Sequence, residues 1–169
     1  LAIQAANGTN DADDITNLEA EFTALSTEIT RIGEVTSFAG KALTGTDATA
    51  FSFQVGSGTA TANQISVTIN SIKSASIGTD SGTQLSAVVT AGLDDLTETN
   101  AAIVVIDDAI KEVNTQRSEL GAVSNRLNHT VNNLTNISSN LSSAQGRILD
   151  ADFALETTEL AKNQILQKV

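Results

Sequence analysis

Apolar side chains at Ile15, Leu18, Phe22, Leu25, Ile29 and Ile32 recur at alternating intervals of three and four residues, with polar residues between them. This spacing predicts a helix over 10–33 with one apolar face. Asn10, Asp11, Asp13 and Asp14 lie just ahead of it, where acceptors and negative charge satisfy the free N–H groups and dipole of a helix start. A calcium loop is the sharper reading of these acids, but Ile15 breaks the required alternation and no glycine or terminal glutamate completes it.

Helical order is lost between Gly40 and Ala91, a stretch rich in Gly, Ser, Thr and Ala whose charged residues are Lys41, Asp47, Lys73 and Asp80. Phe51, Phe53 and Val55 alternate with small polar residues, and Ile65, Val67 and Ile69 repeat the pattern beyond the turn-prone segment Gly56 to Asn63. A β-hairpin is the expected result. Gly56 and Gly58 do not form a phosphate loop of the P-loop type, because no Gly-Lys-Ser/Thr follows them. The hydroxyls are expected to form a solvated surface that could accept O-linked sugar.

The strongest pattern comes last. Ile106, Val113, Leu120, Leu127, Leu134, Leu141 and Ile148 fall at every seventh residue, and Ala109, Val123, Ile137, Ala144 and Ala151 occupy many positions three residues further on. This is the spacing of a coiled-coil seam. Gln116, Arg117, Ser124, Thr130, Ser138 and Gln145 interrupt it with polar groups of the kind that set register. Good helix formers run from about Asn100 to Ile148, about 70 Å at the α-helical rise, whereas the first helix reaches about 35 Å. Half of the seam is therefore expected to be covered by another molecule or by a segment preceding Leu1, and the chain is expected to be part of something larger. Asp150, Asp152 and Glu156 predict a break and a new helix start leading to Leu155, Leu160 and Ile165.

Composition narrows the chemistry. Among the 169 residues there is no Cys, Pro, Met, Trp or Tyr, and the aromatics are five Phe. Disulfides, thiolate metal sites and cysteine nucleophiles are excluded. A net charge of −11 disfavours phosphate backbones and anionic lipid, so neither nucleic acid nor a membrane is an expected partner. The longest apolar run, Ala101 to Ile106, is too short to cross a bilayer. His129 is the single histidine and has no cysteine or carboxylate cluster on its helix face, so it makes neither a metal site nor a triad. Asn-x-Ser/Thr triplets at Asn7, Asn128, Asn133, Asn136 and Asn140 are expected by chance in a chain so rich in these residues. No catalytic residue, cofactor site or metal site is expected.

The stretch NTQRSELGAVSN at Asn114 to Asn125, followed by Arg126 and Leu127, closely resembles the conserved C-terminal segment of bacterial flagellins. VNNLTNISSNLSSAQGRILDADFALE and NQILQ do the same further on, and LAIQAANGTN, the helix around Glu21, SFAGKAL and FSFQVG resemble the family's N-terminal half. The resemblance covers nearly the whole chain, in the family's order. It implies a mainly α fold, a long antiparallel helical bundle or coiled-coil rod with a small β-hairpin. Residues 1–43 would be N-terminal rod helices and their connection, and 44–90 the hairpin with a short variable insert. Residues 91–149 would be the long C-terminal rod helix, and 150–169 the start of the terminal-segment helix.

It further implies a structural, non-enzymatic role as an extracellular filament subunit for motility, with other flagellin subunits, the flagellar export and capping machinery and the Toll-like receptor that senses flagellin as partners. Leu1, Glu21 and Leu120 match positions of the receptor-binding surface, and Leu120 is also a seam position. Both polymerising terminal segments of the family are expected to lie outside this chain. A hook-filament junction protein and a surface-displayed glycan-binding homologue are the alternative members of the same wider group, although the negative charge disfavours an acidic polysaccharide.

Overall fold

A computed structural model describes residues 1–45 and 48–167, without the side chains of residues 151 and 152. Asp47, Ala151, Asp152 and Val169 thus lie outside the described residues in whole or in side chain. Two compact units are present, Leu1–Val123 and Ser124–Val169.

In the first unit, helix α1 (Ala2–Ala5) precedes α2 (Ala12–Val35). The acidic cluster starts α2 as a reciprocal cap: the Asp14 N–H donates to Asp11 Oδ1 at 2.9 Å, and the Asp11 N–H to Asp14 Oδ2 at 3.3 Å. Beyond α2, strands β1 (Ser37–Phe38) and β2 (Lys41–Ala42) pair across a two-residue turn. The predicted hairpin follows as β3 (Thr49–Gln54) and β4 (Gln64–Ile69), antiparallel, with Phe51 opposite Val67 and Phe53 opposite Ile65. Alternation places these apolar residues on one face, where Ile65 is buried, while Ser52, Ser66, Gln64 and Thr68 face solvent. Lys41 Nζ lies 4.8 Å from the centre of the Phe51 ring, within range of a cation–π contact. The Gly56 to Gly58 loop is tied to its own hairpin, since Gln54 Nε2 donates to the carbonyls of Gly56 at 2.6 Å and Gly58 at 2.8 Å.

Helices α3 (Leu85–Ala91) and α4 (Leu96–Leu166) complete the chain. The helical order of α3 was not expected inside the hydroxyl-rich region. Leu85 and Val88 are buried one turn apart, and packing of this face stabilises a segment too short to be helical alone. Nor are all hydroxyls in that region solvated: Thr44 and Ser74 are buried, Thr44 Oγ1 donating to the Gly33 carbonyl at 3.0 Å and Ser74 Oγ lying 2.8 Å from Thr30 Oγ1. Asp95 caps α4, its Oδ1 accepting from the Glu98 N–H at 2.8 Å. The expected break at Asp150 is absent, because α4 continues to Leu166. Acidic side chains favour a helix start but remove no backbone hydrogen bond, and no Pro or Gly lies between Gly146 and Leu166 to do so.

The core of the first unit joins Ala2 and Ala5, Leu18 and Phe22 of α2, Ile77, Leu85 and Val88, Leu93, and Ala102, Val105 and Ala109 of α4. The fold class is the expected one, mainly helical with a small hairpin. Within this unit the relative direction of α2 and α4 follows from their contacts. Glu19, near the start of α2, bonds the Leu93 N–H just ahead of α4, while Phe22 to Ile29 line one groove with Ile106 to Val113. Both sets of numbers rise together, so α2 and α4 run parallel in this unit. The hairpin, the loop after it and α3 carry the chain back to the end where α2 began.

Candidate interaction surface

The clearest surface feature of the first unit is an apolar groove of about 390 Å³ between α2 and α4. Phe22, Leu25 and Ile29 form one wall and Ile106, Ile110 and Val113 the other, with Leu25 and Ile110 more than half exposed. Exposed isolated apolar residues are ordinary, but a continuous apolar strip along two helices is a surface suited to another helix.

Burial along α4 refines the predicted seam. Its deepest positions in the first unit are Thr99, Ala102, Val105, Ala109 and Gln116. Ile106 and Leu120 are half-buried, and Val113 is exposed. Small alanines at the contact allow α4 to approach its neighbours closely, which turns the larger residues of the predicted series towards the flank. In the second unit Leu127 is half-buried, while Leu134, Leu141 and Ile148 are exposed, Leu141 at 68% and Ile148 at 72%. Val131, Ile137, Phe153, Leu160 and Ile165 are exposed as well. His129 and the helix asparagines Asn125, Asn128, Asn132, Asn133, Asn136 and Asn140 are also at the surface.

The implied receptor positions fall on separate elements. Leu1 packs against the core ahead of α1, Glu21 is exposed on α2, and Leu120 is half-buried on α4.

Two polar contacts on α4 position the neighbouring loops. Gln116, which the sequence marks only as a polar interruption, is buried. Its Oε1 accepts from the Asn70 N–H at 3.1 Å and its Nε2 donates to the Thr68 carbonyl at 3.0 Å, fastening the end of β4 to α4. Gln116→Leu is expected to destabilise the first unit by about 2 kcal/mol, because both backbone groups lose a part-buried partner. Urea unfolding measures this, and an unshifted midpoint would show that the clamp contributes nothing. Glu112 has no sequence signal for its role, yet its carboxylate accepts from the Gly78 N–H at 3.0 Å and from the N–H and Oγ1 of Thr79 at 2.7 and 2.8 Å. Beside it, the Lys111–Asp80 ion pair at 2.6 Å raises the Lys111 pKa through the hydrogen bond to Asp80. The Arg31 hydrogen bond likewise lowers the pKa of Glu28. Both pairs are solvent-exposed, so salt screens them and neither anchors the fold.

Among the described residues no helix is long and apolar enough to cross a membrane. The first unit is thus a helical one with an apolar groove left open and loops fixed by side-chain bonds to their backbone. Residues 103–169 match the family described as the bacterial flagellin C-terminal helical region. A flagellin of Bacillus subtilis (strain 168) is 37% identical over 193 aligned residues, covering 99% of this chain and 63% of that protein. The flagellin FlaB2 of Treponema pallidum is 37% identical over 176, covering 98% and 60%. YvzB of Bacillus subtilis, also described as a flagellin, is 39% identical over 145 residues, which cover 84% of each chain. The chain belongs to the bacterial flagellin family. It spans about three-fifths of the length of the first and second of these relatives.

Proposed function

We propose that the chain is part of a structural subunit of the bacterial flagellar filament, packing side by side with further copies outside the cell to serve motility. Family membership supports the reading, and the observation that carries it is the run of exposed apolar residues along α4 in the second unit, Leu134, Ile137, Leu141 and Ile148. Such a strip is costly to leave in water and is satisfied when another helix covers it. The seam Ile106, Val113, Leu120, Leu127, Leu134, Leu141 and Ile148 is assigned to these helix contacts. The reading includes passage through the flagellar export machinery, assembly under its cap, and recognition by the Toll-like receptor through Leu1, Glu21 and Leu120. It requires no reaction and no cofactor.

Antibody raised against the chain should decorate filaments sheared from its source cells along their whole length. Decoration confined to the hook end would make it a junction protein, and filaments left bare on cells that bind labelled acidic polysaccharide would make it a glycan-binding homologue. A substitution separates assembly from folding. Leu141→Asp should change the stability of the isolated chain by no more than about 0.5 kcal/mol, because Leu141 is already exposed. The same substitution in the chromosomal gene should sharply reduce filament number. Normal filaments on those cells would remove Leu141 from the contact.

A further inference from the structure

Asn7 and Gly8 form the single Asn-Gly step in the sequence. Both are exposed, in the turn that links α1 to α2. The Asn10 N–H donates to the Asn7 carbonyl at 3.2 Å, closing a turn with Gly8 and Thr9 at its centre. Among the described residues, the Gly8 N–H donates no hydrogen bond and the Asn7 side-chain amide makes none. A Cβ on Gly8 would meet nothing within 4 Å, so the space beside its Cα is open.

These are the conditions for an asparagine to react with its own backbone. Attack by the following amide nitrogen on the side-chain carbonyl carbon is hindered by a side chain on that following residue, and glycine has none. It is hindered again when the following N–H is held in a hydrogen bond. The asparagines of α4, including Asn125, Asn128, Asn132, Asn133, Asn136 and Asn140, meet both obstacles: each is followed by a residue with a side chain whose N–H lies within the helical ladder. Helical ψ also keeps their side-chain carbon away from the next nitrogen.

We propose that Asn7–Gly8 is a site of spontaneous deamidation and isoaspartate formation. The Gly8 nitrogen bonds to Asn7 Cγ, the Cγ–Nδ2 bond breaks, and Nδ2 leaves as ammonia carrying the Gly8 amide proton. Water then opens the cyclic imide at either carbonyl, giving aspartate or isoaspartate. No oxidant or enzyme takes part, and water is the only co-reactant.

Isoaspartate lengthens the main chain by a methylene and replaces a neutral amide with a carboxylate, at a turn that holds α1 in place. Asn10 Nδ2 donates to the Gln4 carbonyl at 2.6 Å and reaches the Ala5 carbonyl at 3.4 Å. Those bonds, with the burial of Ala2 and Ala5, tie α1 to the core of the first unit. Modification at Asn7 loosens α1 from the core as the protein ages.

The test holds the folded 169-residue chain in mildly alkaline buffer for days, followed by tryptic digestion, mass spectrometry and labelling with a protein isoaspartate methyltransferase. The Leu1–Arg31 peptide should progressively exchange an NH for an O and accept the methyl label, while the Leu127–Arg147 peptide stays unlabelled. Gly8→Ala should reduce the label to background with the circular dichroism unchanged, since Gly8 is not at positive φ and its Cβ position is open. The proposal is overturned by equal labelling of Leu127–Arg147 or by labelling that survives Gly8→Ala. It is also overturned if the folded protein stays unlabelled over a period in which the urea-unfolded chain is modified, for the turn would then hold Asn7 out of reach.

Discussion

Leu93→Ala should destabilise the first unit by about 3–5 kcal/mol, towards the upper end of the range for buried leucines. Leu93 is 1% exposed and lies between α3 and α4, where Gly92 ends one helix and Asp95 caps the next. The cost depends on whether the surroundings collapse into the space left by the side chain. Here they are held. The Leu93 N–H donates to Glu19 Oε1 at 2.6 Å, which fixes the corner to α2, and Ala102 and Val105 belong to a helix whose start is pinned by Asp95. Leu96→Ala is the matched control, because Leu96 is 61% exposed at the first turn of α4 and its truncation should stay within about 0.5 kcal/mol. Urea midpoints of the two variants measure the contrast. Similar shifts for both would mean that the corner is not part of the core.

The corner also marks where sequence reasoning reached its limit. Helix α2 was legible because its apolar spacing and its acidic cap are both local, and the hairpin because Phe51, Phe53, Ile65 and Val67 alternate over consecutive residues. The apolar stripes signal neither α1, implied only by the family resemblance, nor α3. Buried residues such as Ala2, Ala5, Leu85 and Val88 hold both through partners distant in sequence. Leu85, Val88 and Val89 do carry helical spacing, followed by Gly92, and that signal was outweighed by the surrounding Ser, Thr and Gly.

On α4 the heptad was evident, but its rotation was not. Periodicity defines a stripe without saying which side of it faces the core, and the alanines at 102 and 109 decide that by allowing close approach. The direction of α2 relative to α4 was hidden for a related reason. It depends on the path taken by residues 36–95, which crosses the unit and returns before α4 begins. Gln116 stands in the sequence as a polar interruption of the seam, and the cause is tertiary: it fastens β4, more than forty residues away in sequence.

Gly78→Ala should destabilise the same unit by about 3 kcal/mol, and Gly82→Ala by only about 1 kcal/mol. Both glycines have φ +81°, where an alanine suffers the same crowding between its Cβ and the backbone. They differ in what lies beyond. A Cβ on Gly82 would meet nothing within 4 Å. On Gly78 it would stand 2.6 Å from Val105 Cγ1 and 2.9 Å from the Val105 carbonyl oxygen, and that oxygen belongs to the backbone of α4. The loop cannot retreat freely either, because the Gly78 N–H and both donors of Thr79 are bonded to Glu112, about two turns beyond Val105 on the same side of α4. Movement that relieves the clash stretches those bonds. The difference between the two variants therefore isolates the cost of close approach from the cost of backbone conformation. If the two proteins unfold at the same urea concentration, the loop is free to move away from α4, and the Glu112 contacts do not hold it there.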